Sequence, residues 1–147
     1  MVWAPRVTVA AIVERDQQFL CVKESILDKQ VINQPAGHLE PGETLLQAVK
    51  RETLEETGWL VEPESVVGIY LWHHPQEDLT FLRVTFSCDY QSFSADAEVD
   101  PDIDETVWLT AQQLRDSQQL RSPLVLTCID DYLQGKRFSL NILSSVK

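Results

Sequence analysis

Three glutamates, Glu52, Glu55 and Glu56, crowd the end of one predicted helix over residues 45–57. At about 100° per residue, with Leu45 at zero, Val49 falls near +40° and Ala48 near −60°, an ordinary core-facing stripe. Glu52 then falls near −20°, Glu56 near +20° and Glu55 near −80° by the same geometry. The stripe starts apolar and ends in carboxylates. Glu52 and Glu56 are like charges at i,i+4, and all three acids stand at the negative end of the helix dipole. Exposed, each conflict costs a few tenths of a kcal/mol; desolvated, the repulsion is far larger. A divalent cation removes the conflict, and clustered hard oxygen ligands suit Mg²⁺ or Mn²⁺ with phosphate oxygens completing the shell. The same pattern also fits a solvated acidic face on which Lys50 and Arg51 act as partners.

The elements that would position these acids can be read around them. Thr44 with Gln47 three residues later forms a capping-box pattern, and Gly58 stops the helix. Residues 7–13, rich in β-branched types, pair with residues 19–22 as a hairpin across a turn at 14–18. Residues 26–43 read as loop, punctuated by Pro35, Gly37, Pro41 and Gly42. Residues 66–72 and 80–90 are strands separated by a polar loop at 73–78. Residues 94–105, with six acids and no base, read as a solvated loop before a short strand at 106–109. Thr110 with Gln113 starts another helix, and Ser122-Pro123 opens a last one that Gly135 closes. This order predicts one α/β domain over residues 1–147, a mixed sheet with helices on both faces.

Length and charge narrow the function. At 147 residues the chain can bury a core without help from a metal or disulfide. The net charge of −11 repels nucleic acid polymers and anionic membranes, while a small anionic substrate needs a bridging cation. Cys21, Cys88 and Cys128 are odd in number and unpaired by spacing, which fits reduced thiols in the cytoplasm. The apolar run at 7–13 is too short to span a bilayer and lacks the basic start of a secretion signal.

The glycine-flanked setting carries more. Gly37-His38-Leu39-Glu40-Pro41-Gly42-Glu43, seven residues, then Arg51-Glu52-Thr53-Leu54-Glu55-Glu56-Thr57-Gly58-Trp59 resembles the Nudix box at every charged and glycine position. Thr53 and Trp59 depart from it, standing where the family prefers bulky aliphatic residues. The resemblance implies an α/β/α sandwich hydrolysing diphosphate linkages with a divalent metal. It also implies that Glu52, Glu55 and Glu56 bind metal, that the Gly37 carbonyl is a further ligand, and that Glu43 orients Arg51. In such a site Glu52 is the preferred general base, and Glu105 is a second candidate for metal or base, equally readable as a solvated acid.

Stretches outside the box, among them Asn33-Gln34-Pro35-Ala36-Gly37-His38, Phe81-Leu82-Arg83 and Leu120-Arg121-Ser122-Pro123, resemble the NudJ-type phosphatase subgroup. That similarity implies release of orthophosphate from nucleoside di- and triphosphates and from thiamine or hydroxymethylpyrimidine diphosphate. An internal cut of nucleoside triphosphates or dinucleotides, and a non-catalytic nucleotide-sensing module, stay open as alternatives, as do monomer and homodimer. Arg83, alone in an apolar strand, either reaches phosphate or pairs with an acid such as Glu43, with pairing favoured. Trp72 is a candidate platform for a heterocycle or a sheet-packing residue. Asn33 and Gln34 could offer amides, Arg121 could bind an anion or cap a helix, and His73 and His74 are weaker candidates. The three cysteines read as packing residues.

Overall fold

The computed structural model describes residues 2–146. Its central layer is a mixed sheet in the order β5 (Ala36–His38), β1 (Arg6–Ile12), β7 (Thr80–Phe93) and β6 (Trp59–His73). Strands β1 and β7 run parallel, Arg6 opposite Phe81 through Ile12 opposite Ser87, while β5 and β6 are antiparallel to their neighbours. A second, antiparallel sheet is built on β3 (Gln18–Ile26), with β8 (Ile103–Thr110) on one side and β2 (Glu14–Arg15) and β4 (Lys29–Asn33) also paired to it. Helices α1 (Leu45–Thr57), α2 (Ala111–Asp116) and α3 (Leu124–Leu133) complete the α/β fold.

Strand alternation explains the layering. Val9, Ala11 and Val13 join the core beneath Ala48 and Val49 of α1, whereas Ile12 joins the core beneath Val125, Cys128 and Ile129 of α3. A strand covered on both faces must be apolar at successive positions, as Val9 through Val13 are.

Several expectations are corrected. Residues 7–13 and 19–22 do not form one continuous hairpin: strand pairing is confined to Glu14 and Arg15 opposite Phe19 and Gln18, with the Leu20 N–H reaching the Val13 carbonyl at 3.0 Å. The turn residues Asp16 and Gln17 both have positive φ, 52° and 65°, the twist a two-residue hairpin requires. Residues 26–43 are not all loop, because β4 and β5 lie within them. A second such turn at Leu27 and Asp28, φ 49° and 66°, brings β4 back along β3. The polar side chains of Lys29 and Gln30 hide that strand, since an exposed edge has no apolar alternation to detect. Strand β8 also begins three residues earlier than expected, placing Glu105 in a sheet.

Thr53 and Trp59 each have a local explanation. Thr53 is fully buried, and its hydroxyl bonds back to the Val49 carbonyl at 2.7 Å. Trp59 stacks obliquely on Phe93 and meets Tyr90 and Trp108 edge-on. The Arg15 guanidinium sits over this group, 4.0 Å from the Trp108 ring centre and 5.5 Å from that of Trp59. A bulky indole is therefore accommodated at an open end of the sandwich. Because the Thr53 hydroxyl only shares a carbonyl already used by the helix, Thr53→Val is expected to hold or raise the melting temperature by about 2–4 °C, the shift of roughly 1 kcal/mol. Thermal melts check this, and a fall of similar size would show that the hydroxyl contributes net stability.

Candidate active site

Helix α1 is fixed at both ends. The Thr44 hydroxyl accepts from the Gln47 N–H, and the Gln47 side chain accepts from the Thr44 N–H. Gly58, at φ 78°, turns the chain out while its N–H bonds the Leu54 carbonyl. The acidic face is thereby laid against β5 and the linker leading into it.

Glu56 is only 7% exposed, and its Oε1 accepts from the Ala36 N–H at 2.8 Å. Burial drives its pKa up to about 9, the Ala36 bond opposes this, and the charges of Glu52, Glu24 and Asp100 push it further up. Glu52 lies over the Gly37 backbone. A Cβ on Gly37 would stand 2.1 Å from the Glu52 carboxyl carbon, so only glycine permits this contact. Burial raises the Glu52 pKa, and the hydrogen bond from Arg51 offsets it.

Arg51 gathers the remaining acids. Its Nε and Nη2 donate to the two Glu43 oxygens at 2.8 and 2.7 Å, and Nη1 donates to Glu52 at 2.9 Å and Glu55 at 3.2 Å. Nη2 also reaches the His38 carbonyl at 3.1 Å. The guanidinium thus holds Glu43 below the usual carboxylate range. Glu55 remains half exposed at the rim. Among the described residues no three acidic, histidine or cysteine side chains already converge in a metal cage. The oxygen donors nevertheless fit a divalent ion: two carboxylates share a helix face over a bare glycine backbone, and one is buried with a single protein hydrogen bond.

Arg83 does not pair with an acid, contrary to the favoured expectation; Glu43 is already taken by Arg51. At 6% exposure, Arg83 donates to the Gln34 Oε1 at 3.1 Å and, more loosely, to the Asn33 Oδ1 at 3.5 Å, and its Nε has no partner. Gln34 is itself buried and donates to the Val125 carbonyl at 2.8 Å. Asn33, Gln34 and Arg83 therefore form a polar layer behind the site, tying β7 and the β4–β5 linker to α3. Arg121 is exposed, 3.4 Å from both Glu24 oxygens, and its backbone N–H bonds the Ile32 carbonyl. Trp72 lies half-buried at the end of β6, stacked on Phe81. His73 bonds Thr80, and His74 stands beside Trp72. Glu105 is 58% exposed and faces Lys23 at 3.7 Å, opposite it across β3 and β8.

The site also contains groups that pattern reading passed over. The Ala36 N–H is a backbone donor with no sequence signature. The charge of Glu24 acts on Glu56, and β3 is irregular between Lys23 and Glu24 where it pairs β8. Burial raises the Glu24 pKa, and Arg121 opposes it.

With this geometry, the relatives are informative. The NUDIX domain family matches residues 4–126. The chain belongs to the Nudix family and is a Nudix phosphohydrolase. It is similar to the Phosphatase NudJ of Escherichia coli strain K12, 39% identical over 139 residues, covering 95% of this chain and 90% of the relative. A solved NUDIX hydrolase from Nitrosomonas europaea is 45% identical, with a TM-score of 0.94 over 97% of this chain and 98% of that one. The MutT protein of Methanosarcina mazei Go1 shares the fold at 20% identity, with a TM-score of 0.73 over 93% of this chain and all of that one.

Two outcomes follow from this geometry. Gly37→Ala is expected to keep the fold, since the Glu52 side chain can swing away, yet to lower turnover at least about tenfold by displacing that carboxylate. Circular dichroism beside an activity assay checks it, and undiminished turnover would remove the role of the Gly37–Glu52 contact. The second concerns pH. An acid whose pKa is raised by folding holds its proton more tightly in the folded chain. Metal-free stability from Glu56 is therefore greatest below its unfolded pKa of 4.5 and declines as pH rises toward about 9. In EDTA at pH 8, Glu56→Gln is expected to melt at least about 2–4 °C above the parent, and at pH 4 to match it. Melts at the two pH values decide, and a destabilised variant at pH 8 would reverse the assignment.

Proposed function

We propose that this phosphohydrolase releases orthophosphate from small diphosphates: nucleoside di- and triphosphates, and thiamine or hydroxymethylpyrimidine diphosphate. The observation that carries it is the Glu52–Glu56 pair, one carboxylate on bare glycine backbone and the other buried, in a chain similar throughout to a phosphatase. Glu52, Glu55, Glu56 and the Gly37 carbonyl are the oxygen donors that would hold Mg²⁺ or Mn²⁺. Such an ion supplies charge neutralisation on phosphate oxygens and a water of lowered pKa.

The protein's own groups do the remaining work. Arg51 fixes Glu52 and Glu55 through Nη1, so neither carboxylate must be ordered when substrate arrives. Glu52 Oε2, not engaged by Arg51, is the atom that takes the proton from the attacking water. Arg121 offers an exposed guanidinium to a phosphate oxygen, and a phosphate there replaces its long contact with Glu24. Trp72 supplies an aromatic surface near Arg121. Arg83 acts through Gln34 and Asn33, keeping positive potential under the cleft. Glu105, exposed beside Lys23, takes no part in this arrangement. Among the described residues no helix is long and apolar enough to cross a membrane, and the three buried free thiols suit a cytoplasmic protein.

Phosphate release with Mg²⁺ over thiamine diphosphate, UDP, GTP and a dinucleotide tests this reading. Orthophosphate from the first three is expected, and Glu56→Gln is expected to lower the rate about two to three orders of magnitude. Pyrophosphate or paired nucleotides as products would instead establish internal cleavage, and metal-dependent nucleotide binding without turnover would establish a sensor.

A further inference from the structure

A groove of about 460 Å³ opens between the turn joining β6 to β7 and the segment leading into α3. Trp72, His74 and Pro75 line one wall, and Leu120, Arg121 and Ser122 the other. Arg121 also lines a neighbouring groove with Glu24, Asp102 and Asp104, and the charge of Glu24, beside Arg121, acts on Glu56, which connects this groove to the glutamate face.

Both walls are fixed by backbone. Leu120 bridges to Ile32, and the Arg121 N–H bonds the Ile32 carbonyl at 2.8 Å. On the other side the His74 N–H bonds the Leu79 carbonyl at 2.8 Å, closing the turn. Phe81 stacks on the Trp72 indole with ring centres 5.8 Å apart and planes 23° from parallel. A ring already held in place is a low-entropy platform for another flat ring. His74 adds direction. Its Nδ1 accepts from the N–H groups of Gln76 and Glu77, both at 3.1 Å, so the neutral imidazole carries its proton on Nε2. Among the described residues that Nε2–H has no protein acceptor, which leaves a donor on a groove-lining side chain.

We propose that this groove is the heterocycle subsite. A flat nitrogen heterocycle with a ring nitrogen or ring carbonyl as acceptor, carried on a diphosphate, stacks on Trp72 and accepts a hydrogen bond from His74 Nε2–H. Arg121 holds the phosphate nearest the organic group, which leaves the terminal phosphate toward Glu52 and Glu56. The assignment rests on the phosphohydrolase reading of the neighbouring acids. It adds the part of the substrate that is chosen rather than cleaved.

The test compares UDP with inorganic tripolyphosphate, which has no ring, using the full chain and Mg²⁺. Trp72→Ala is expected to lower the ratio of kcat/KM for UDP over tripolyphosphate about ten- to a hundredfold, mainly through KM, the range of one base–aromatic stack. Trp72→Phe should keep most of the ratio, and His74→Ala should lower it about three- to tenfold, the loss of one hydrogen bond. Equal losses on both substrates, or an unchanged ratio, would overturn the subsite. Should Trp72→Ala not fold, Trp72→Phe and His74→Ala decide between the same outcomes. If the parent releases no phosphate from either compound, the hydrolytic reading fails by itself, and calorimetry then decides the groove. Tighter binding of UDP than of tripolyphosphate, reduced in His74→Ala, supports it; equal affinities reject it.

Discussion

A carboxylate buried against a backbone N–H is the constraint on which the site depends. Glu56 is held at Ala36, where the chain crosses from one sheet to the other, and that bond sets the distance between α1 and β5. Strand β5 pairs with β1 through Gly37 and Val9, so the same residues serve as sheet edge and as floor of the acidic face. Burying a carboxylate with one neutral donor is unfavourable. The fold tolerates it because the helix is capped at both ends and its other buried positions, Ala48, Val49, Thr53 and Thr57, anchor it to the core. Arg51 then acts as a collar on the more exposed acids, turning mutual repulsion into a network with one centre.

Much of this was legible. The capping box at Thr44 and the stop at Gly58 are local codes with local causes, and α1 runs between them as the pattern predicts. The convergence of Glu52 and Glu56 follows from helical period alone. Strand β4 was hidden because three of its five residues, Lys29 to Val31, lie at or near solvent and follow no apolar alternation. The partners of Arg83 were hidden for another reason. An isolated arginine in an apolar strand suggests a carboxylate, but here uncharged amide oxygens receive it, and their identity depends on how the β4–β5 linker passes behind β7. Tertiary approach, not spacing, supplies that information.

The buried polar layer and the acidic face respond to the same field. Desolvation lowers the tendency of Arg83 to hold its proton, while the carboxylate of Glu56 favours the charged guanidinium. Gln34 holds the layer in place, fastened to Arg83 through its oxygen and to Val125 through its nitrogen. A cation under the cleft without an ion-pair partner attracts anions more strongly than one neutralised by a carboxylate, which suits a protein whose overall charge of −11 repels them.

The aromatic end capped by Arg15 has an optical consequence. Trp59 and Trp108 meet edge-on with centres 6.0 Å apart, Trp72 stands in the groove, and Trp3 is largely in solvent. Ultraviolet emission from this chain is therefore three superimposed signals. The coupled pair reports whether the two sheets remain closed, the solitary groove indole reports what enters beside Arg121, and the solvated one supplies a constant red-shifted background.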